Sequence, residues 1–506
     1  MSKERDPFTK PFSNAEDLGL AIPDDDHAVS VCLPMWADVI GYEEGEDRVM
    51  DELECGYPRF VEHPVVAELF MAATEEFAKK NEVALVFPSL AAAWRCADFV
   101  KSEGGKSVRL ESYGWYNLTV LLLPEPDYPI AWKGWQHAGE IVSSRMAEAA
   151  LLDAPLSEQA ETLGKEALDT LRQRIADLYP EHDVKAGDVY LFSSGMAAIA
   201  AAHRVVVEER KLPTAQIEFP YLDALKLQQK FNPAGVVDLS IVGEEGGYKV
   251  LKEHLETESV AAVFSEIPSN PLLRTGNLAD ISEILQEKNI PLVVDDTVAT
   301  AWNADGFRFA DVISTSLTKL FSGEGDVAAG AVILKLDSPH YKMFKERLAD
   351  QEESSPLFCL DAITLEINSR HFGERVEATN ENCADVLEYL DTHPKVDKIW
   401  HPTTIKGDYY HQVKRESGGY GGLFSMTLKD GANGAAERFY NALQISKGPS
   451  LGTNFSLVCP YTLLAHYDEL DWAESCGLPR HLIRVWIGLE ESDDLIDKFD
   501  QAFDAV

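Results

Sequence analysis

Basic side chains are scarce in this sequence, and long apolar runs are absent. Lysine and arginine number 45 against 85 aspartates and glutamates, which gives a formal net charge of −40. A surface of this sign repels nucleic-acid phosphates and anionic lipid head groups. No apolar run reaches the roughly 18 residues that a membrane helix needs, and the polar N-terminus lacks a signal-peptide core. We expect a cytosolic protein without nucleic-acid or membrane partners.

Cysteine is also sparse. The seven cysteines are odd in number and widely spaced, and no Cys-x-x-Cys pair occurs. This pattern is typical of neither a disulfide framework nor a zinc site, and it suits a reducing compartment. The chain has 506 residues, of which 45% are hydrophobic, so it can build a large core divided between two or three domains.

Four stretches of the chain differ in pattern. Residues 1–64 are polar and irregular and are interpreted as an N-terminal arm. Residues 65–185 alternate helical patterns with one predicted strand at 118–123, so we expect an extended helical region. Residues 186–345 read as a large α/β domain, and residues 346–506 as a smaller C-terminal α+β domain.

The α/β assignment comes from short apolar segments that alternate with helical patterns. Such alternation predicts a mostly parallel sheet with helices on its faces. The predicted strands are VYLF (189–192), AAVFSE (261–266), PLVVDD (291–296), DVISTS (311–316) and VAAGAVILK (327–335). Ligands of such sheets bind beyond the carboxyl ends of the strands, so the residues that follow each strand are the candidate functional residues.

Each of these strand ends has an ordinary interpretation when taken alone. Ser193-Ser194-Gly195-Met196 opens a helix and could bind a phosphate, but capping serines are common. Asp295 and Asp296 could cap a helix, bind a metal or accept from a cationic ring; the histidine-rich spacing of a metal site is missing. Lys319 could be a Schiff-base amine or a solvated surface lysine.

Together the strand ends indicate one kind of chemistry. A phosphate cradle, an acid, a lysine between hydroxyl residues and the amide of Asn270 are expected to meet at one edge of the sheet. This combination suits pyridoxal 5'-phosphate (PLP), because its aldehyde needs an amine, its ring nitrogen an acid and its phosphate a set of N–H and O–H donors. No metal is predicted.

The motifs resemble those of the Cys/Met-metabolism family of PLP enzymes, which have fold type I, the aspartate aminotransferase-like fold. Seven motifs occur in the family's order: Tyr57-Pro58-Arg59, Ser194 to Ala198, Glu266 to Pro271, Val294 to Thr297, Ser316-Leu317-Thr318-Lys319 with GEGDVAAG at 323–330, Ser450-Leu451-Gly452, and Arg484 near the C-terminus. GYPRF, WQHAGEIVSSR and GPSLGTNFSLVCPYTLLAHY resemble fungal cystathionine γ-synthase-like proteins in particular.

The resemblance implies roles for individual residues. Lys319 corresponds to the Schiff-base lysine and catalytic base, Asp295 to the partner of the ring nitrogen, and Asn270 to the amide near the ring hydroxyl. Tyr221 corresponds to the stacking tyrosine, which also has a catalytic role in proton transfer. The implied phosphate ligands are Gly195, Met196, Ser316 and Thr318. Tyr57 and Arg59 would reach the phosphate of a neighbouring subunit, which implies a homo-oligomer built from catalytic dimers. The substrate α-carboxylate would bind Arg484, with Ser450 beside it.

The implied reaction is γ-replacement on an O-acylated L-homoserine. O-acetyl-L-homoserine as donor and L-cysteine as acceptor would give L-cystathionine. The sequence leaves open replacement with sulfide or a carbon nucleophile, a γ-lyase, and a catalytically silent structural subunit.

Three departures from the family motifs bear on this choice. Asp296 replaces an asparagine, Leu222-Asp223-Ala224 replaces Gly-Gly-Thr, and Phe455 stands where many bacterial relatives have an acid that helps select the acceptor. The long 65–185 stretch is interpreted as a surface subdomain that packs on a neighbour.

Overall fold

The computed structural model describes residues 5–239 and 248–506, in which the chain forms three β-sheets. Residues 5–64 pack on the C-terminal part of the same chain. They contain α1 (Trp36–Glu43) and α2 (Asp47–Met50). Phe12, Cys32 and Leu33 are buried. The buried Lys447 ammonium donates to the carbonyls of Ser13 (3.1 Å) and Pro34 (2.9 Å). These contacts fix residues predicted as an arm in the core of the same chain.

The next stretch forms a small α/β unit, called here the N-terminal domain. Its elements are α3 (Pro64–Phe77), β1 (Glu82–Phe87), α4 (Leu90–Ser102), β2 (Arg109–Tyr113), β3 (Leu118–Pro124), α5 (Tyr128–Ala138) and α6 (Ser144–Leu151). The sheet is antiparallel in the order β1-β3-β2. The sequence analysis predicted only the central strand, because the apolar residues of β1 closely follow a helical pattern and β2 is half polar.

The large sheet has seven strands, reached through α7 (Glu158–Ala176). Its elements are β4 (Val189–Phe192), α8 (Gly195–Arg210), β5 (Thr214–Ile217), α9 (Leu222–Phe231), β6 (Val236–Leu239), α10 (Tyr248–Thr257), β7 (Val263–Glu266), α11 (Leu278–Glu287), β8 (Leu292–Asp295), α12 (Thr300–Asn303), β9 (Val312–Ser316) and β10 (Gly330–Leu334). The strand order is β4-β10-β9-β8-β7-β5-β6, and only β10 is antiparallel to its neighbours. The predicted fold class is therefore confirmed.

The C-terminal region begins with three helices and continues into a five-stranded sheet; the first two helices pack on α8 and α7, and the third packs on this sheet. Its elements are α13 (Tyr341–Ser354), α14 (Cys359–Asn368), α15 (Phe372–Thr392), β11 (Val396–Trp400), β12 (Leu423–Leu428), α16 (Ala435–Ala442), β13 (Ser446–Lys447), β14 (Leu457–Cys459), α17 (Tyr461–His466), α18 (Leu470–Ser475), β15 (Ile483–Trp486) and α19 (Ser492–Phe503). The order is β11-β12-β15-β14-β13, so β15, which carries Arg484, lies at the centre.

The N-terminal domain packs on the large domain of its own chain. The ring of Phe99 on α4 stacks on Phe231 at the end of α9, with centroids 4.6 Å apart. The Ser89 hydroxyl donates to the Ser354 carbonyl (2.6 Å), and Arg145 pairs with Asp361 (3.3 Å). The Ser194 hydroxyl donates to the Gly139 carbonyl (2.7 Å), which places the end of α5 beside the start of α8. None of the helices in the two described ranges has the length and apolar character to span a bilayer.

Candidate active site

A cleft of about 1190 Å³, its open mouth included, lies beyond the carboxyl ends of β7, β8 and β9. The parallel pairing of these strands sets Glu266 beside Asp295 and Asp295 beside Ser314. Ten of the twelve candidate residues from the sequence line the cleft: Tyr57, Arg59, Gly195, Met196, Tyr221, Asn270, Asp295, Ser316, Lys319 and Arg484.

One end of the cleft is built to receive an anion. Ser194 caps α8 by accepting from the N–H of Ala197 (3.0 Å), and the first two N–H groups of the helix, those of Gly195 and Met196, have no carbonyl partner within it. The Ser316 hydroxyl is buried beside them without a hydrogen-bond partner among the described residues. A Cβ at Gly195 would approach the Cβ of Ser316 to 2.7 Å, so only glycine leaves this space open.

Two candidate residues lie outside the cleft lining. The Thr318 hydroxyl is buried and satisfied by the backbone of Ala329, donating to its carbonyl (3.2 Å) and accepting from its N–H (3.0 Å). Thr318 therefore pins the lysine loop to β10, and the structure does not bring its hydroxyl to the phosphate end as expected. Ser450 does reach the site, since its hydroxyl accepts from the Lys319 ammonium (3.1 Å).

Lys319 projects into the cleft from the loop after β9. Its Nζ lies 4.4 Å from the ring centroid of Tyr57. Burial lowers the pKa of Lys319, and the neighbouring Tyr57 opposes this shift. Burial would raise the pKa of Tyr57, but the positive charges of Lys319 and Arg59 outweigh it and lower that pKa. The pair is thus poised to pass a proton between an amine and a phenol.

Two carboxyl groups share the floor of the cleft. Burial, reinforced by nearby Asp295, raises the pKa of Glu266 to about 8, and burial raises that of Asp295 to about 6. Glu266 accepts from the backbone N–H groups of Tyr221 (2.6 Å) and Asn270 (3.1 Å), and Asp295 from that of Thr297 (2.8 Å). Two acids this close favour a cation above them.

Asp296 does not join this pair. Its carboxylate accepts from the buried Tyr179 hydroxyl at 3.0 Å, behind the sheet edge and away from the cleft lining. The two aspartates of the Val-Asp-Asp-Thr motif therefore face different surroundings, so they do not form a shared metal-binding pair.

Arg484 is 4% exposed and reaches the cleft from the middle of the C-terminal sheet. Its guanidinium donates to the carbonyls of Pro449 (2.6 Å) and Ser450 (3.1 Å) and to the amide oxygen of Asn270 (3.2 Å). It also lies 4.6 Å from the ring centroid of Tyr461. These contacts fix the plane of the guanidinium, which can then pair with a carboxylate through two parallel bonds.

Arg59 lines the cleft in the described chain. That it reaches the phosphate of a neighbouring subunit, as the resemblance implies, stays a prediction. Arg59 forms a fully buried ion pair with Asp223 and donates to the Tyr221 hydroxyl (2.5 Å). Asp223 also bonds the ring of His137 (2.8 Å). Sequence reasoning noted Asp223 only as a departure from the family pattern and did not single out His137; their pairing depends on contacts between distant segments.

Comparisons with known proteins agree with this architecture. Residues 163–504 match the family model described as Cys/Met metabolism PLP-dependent enzyme, and residues 65–143 match the model for the fungal trans-sulfuration enzyme N-terminal domain. The chain belongs to the Cys/Met-metabolism family of PLP-dependent enzymes.

Full-length relatives extend the comparison. A cystathionine γ-synthase of Neurospora crassa is 32% identical, with 96% of this chain and 98% of the relative covered. An L-2-amino-4-chloropent-4-enoate dechlorinase/desaturase of Streptantibioticus cattleyicolor is 30% identical, with 96% and 97% covered. The solved cystathionine γ-synthase of Xanthomonas oryzae, in complex with cystathionine, superposes with a TM-score of 0.57 at 22% identity, covering 68% of this chain and 87% of that one.

This family member is therefore a PLP-dependent, cystathionine γ-synthase-like enzyme that carries out γ-substitution or γ-elimination. Its cleft fits the cofactor. The helix start and the partnerless Ser316 hydroxyl suit a phosphate, and the paired acids at Glu266 and Asp295 suit a protonated ring nitrogen. Lys319 is the amine within the same cleft.

The paired acids predict how the stability of the cofactor-free enzyme depends on pH. The pKa values of Asp295 and Glu266 are raised to about 6 and about 8, above those of the unfolded chain, so the folded state holds more protons. The contribution of these two groups to stability is then fully present below their unfolded-state pKa values and is lost as pH rises through the folded-state values. We expect urea titrations to show the free energy of unfolding falling by roughly 1–3 kcal/mol over this window.

A Glu266→Gln variant serves as the control for this titration. It should lose the part of the decline near pH 8, because the substituted side chain has no proton to release. Parallel curves for wild type and variant would contradict the assignment.

Proposed function

We propose that this enzyme replaces the γ-substituent of an O-acyl-L-homoserine. O-acetyl-L-homoserine is the donor and L-cysteine the acceptor, and the products are L-cystathionine and acetate. The observation that carries the proposal is the meeting of a fixed arginine fork and a buried amine in one cleft, with Ser450 bonded to both Arg484 and Lys319. The N. crassa relative, named a cystathionine γ-synthase, supports the same reaction.

Arg484 binds the substrate α-carboxylate in this proposal. Its three protein contacts orient the guanidinium before the substrate arrives, so little rotational freedom is lost on binding. The Ser450 hydroxyl, 3.1 Å from the Lys319 amine, lies between the two groups. A substrate held by its carboxylate thus presents its Cα to Lys319.

Lys319 holds the cofactor and then carries protons. PLP, when bound, supplies an electron sink that acidifies the protons on Cα and Cβ of the substrate. The lowered pKa of Lys319 increases the neutral fraction of its amine, which is the form that can accept those protons. Tyr57, whose ring lies 4.4 Å from Nζ, receives or returns a proton at that amine.

The remaining cleft residues orient the cofactor. Asp295 would keep a positive charge on the ring nitrogen of PLP, and Asn270 and Tyr221, which line the same cleft, would hold the ring. Gly195, Met196 and Ser316 would bind the phosphate together with Arg59.

The bonds of the overall reaction balance without a redox partner. The bond from Cγ to the ester oxygen breaks and acetate leaves with its electron pair. The sulfur of cysteine then bonds to Cγ and its thiol proton is released. The protons removed at Cα and Cβ return to those carbons through Lys319 in this proposal.

An acidic side chain at the cleft favours an amino acid over sulfide as acceptor. Phe455 itself is buried away from the cleft lining, but Glu43 at the end of α1 lines it. Burial, with Asp468 nearby, raises the pKa of Glu43 to about 8. An ammonium group bound beside Glu43 would favour the ionised carboxylate and would be attracted to it. Cysteine carries such a group, and sulfide does not.

Two alternative reactions use the same groups. In γ-replacement with sulfide or a carbon nucleophile, a different acceptor attacks Cγ. In a γ-lyase, water releases 2-oxobutanoate and ammonia. The S. cattleyicolor relative is named for removing chloride, which supports a family scaffold that accepts several leaving groups. A homo-oligomer of catalytic dimers and a cytosolic location also remain proposals, drawn from the resemblance and the composition.

Product analysis tests the proposed reaction. The enzyme is incubated with O-acetyl-L-homoserine with and without L-cysteine, and the products are identified by mass spectrometry. We expect cystathionine as the main product with cysteine and slow release of 2-oxobutanoate without it. Release of 2-oxobutanoate at the same rate in both incubations would identify a lyase instead.

A Glu43→Gln variant in the same assay tests the acceptor site. The variant should have a raised KM for cysteine, because the ammonium loses its carboxylate, while its KM for sulfide stays unchanged. An equal effect on both acceptors would rule out a role for Glu43 in choosing between them.

Substitution of the arginine fork tests substrate binding. Arg484→Lys should raise the KM for the homoserine ester at least about tenfold, since lysine cannot make two parallel bonds to a carboxylate. The cofactor absorbance per chain should stay near that of wild type. The matched control is Arg480→Lys, because Arg480 pairs with the surface acids Asp471 and Glu474 and does not line the cleft. An unchanged KM in Arg484→Lys refutes the assignment.

A further inference from the structure

The side-chain hydroxyl of Tyr461 is buried without a protein partner. Tyr461 is the first residue of α17, it is 4% exposed, and its hydroxyl has no hydrogen-bond partner within the described part of the chain. Other buried tyrosines are satisfied: the hydroxyl of Tyr179 donates to a carboxylate at 3.0 Å, and that of Tyr410 to a backbone carbonyl at 3.1 Å. Because an unpaired buried hydroxyl is costly, the hydroxyl of Tyr461 is suited to bonding a ligand.

Tyr461 belongs to the part of the cleft around Arg484. Its ring lines the cleft, and the guanidinium carbon of Arg484 lies 4.6 Å from the ring centroid. Burial raises the pKa of Tyr461, and the nearby positive charge of Arg484 opposes this shift only in part. The phenol therefore keeps its proton at neutral pH and can donate a hydrogen bond. A carboxylate bound to the guanidinium would lie beside this ring.

Most N–H groups of Arg484 are already bonded within the chain. Its Nη2 atom donates to the carbonyls of Pro449 and Ser450, and its Nη1 atom donates to the amide oxygen of Asn270. A guanidinium has five N–H groups, so at most two remain for a ligand. An ionised carboxylate can accept about four hydrogen bonds. A carboxylate on Arg484 therefore has room for a further donor, and the Tyr461 hydroxyl is an unused donor in the same cleft.

The face of α17 that lines the cleft carries one polar side chain. Leu464 and Ala465 also line the cleft, and they lie three and four residues after Tyr461. This spacing places all three side chains on the same face of the helix. A single hydroxyl in an otherwise apolar wall is the kind of group that fixes the orientation of a bound ligand.

We propose that Tyr461 is a specificity-determining residue that donates a hydrogen bond to the α-carboxylate of the amino acid bound by Arg484. The arginine supplies the positive charge, and the tyrosine adds a donor from a different direction. Together they favour amino acids with a free carboxylate over simple amines. The inference rests on the role proposed above for Arg484 and deepens it.

A Tyr461→Phe variant removes the hydroxyl and keeps the ring beside Arg484. We expect the KM for O-acetyl-L-homoserine to rise roughly tenfold or more, because a hydrogen bond to a charged group is lost. The cofactor absorbance per chain should stay near that of wild type. The urea midpoint of the substrate-free enzyme should not fall, since the hydroxyl has no protein partner to lose. An unchanged KM overturns the proposal.

Tyr410→Phe is the matched control. It removes a buried hydroxyl that is bonded within the chain and lies outside the cleft lining. This variant should unfold at a lower urea concentration than wild type and keep the wild-type KM. A loss of stability in Tyr461→Phe as large as that in Tyr410→Phe would show a structural role for the Tyr461 hydroxyl and contradict the proposal.

A binding titration identifies the group that the hydroxyl contacts. L-2-aminobutyrate has the α-carboxylate but no γ-substituent, and propylamine is the same molecule without the carboxylate. Each is titrated into the cofactor-loaded enzyme, and binding is followed by the absorbance of the cofactor. Tyr461→Phe should bind L-2-aminobutyrate roughly tenfold or more weakly than wild type and propylamine equally well.

Two results of the titration would overturn the proposal. Equal weakening for both compounds would place the hydroxyl away from the carboxylate. An unchanged affinity for L-2-aminobutyrate with a raised KM for the ester would place it at the acyl group. The titration involves no γ-replacement, so it is independent of the reaction products: if the enzyme proves to be a lyase and the carboxylate effect is still seen, the proposed function fails and this inference stands.

Discussion

The pairing of three parallel strands is the constraint on which the site depends. Backbone hydrogen bonds between β7 and β8 set Glu266 opposite Asp295, and their burial raises the pKa of both. Neighbouring strands lie about 4.8 Å apart, so the two acids cannot separate without breaking the sheet. Two carboxyl groups with raised pKa values therefore lie at the sheet edge. A positively charged ring bound beside them would lower both pKa values and stabilise the ionised carboxylates.

Three cationic side chains line the cleft around these acids, although the protein as a whole carries a net charge of −40. Lys319, Arg59 and Arg484 reach it from three different parts of the fold. A phosphate-bearing cofactor and a substrate carboxylate are both anions, so these three side chains offer them partners on a protein whose net charge is negative. Each cation is fixed by protein contacts before any ligand binds, which limits the freedom lost on binding.

Much of this arrangement could be predicted from sequence, because local signals mark the ends of strands. The helix start at Gly195, Asp295 after an apolar strand and Lys319 between hydroxyl residues all lie where the pattern placed them. The hydroxyl of Thr318 was predicted at the phosphate but bonds Ala329, because its orientation depends on the strand beside it. Strands such as β5 (TAQI) were missed, since four residues with a buried glutamine carry no apolar run.

Contacts between residues far apart in the chain could not be predicted from the sequence. Arg59 and Asp223 are 164 residues apart, and no local pattern pairs them. The same holds for the contact between Tyr57 and Lys319, whose segments lie far apart in the sequence. The extra strands β1 and β2 were hidden because one is preceded by a helical pattern and the other is half polar. Such features arise from tertiary packing, which the one-dimensional pattern does not encode.

The most direct test of the account is reduction of the cofactor-loaded enzyme with borohydride, followed by peptide mapping. Reduction fixes PLP to the amine that holds it. We predict a single labelled peptide with the label on Lys319, and loss of that label in Lys319→Ala. A label on any other lysine, or no label on a chain that has bound the cofactor, would contradict the central claim.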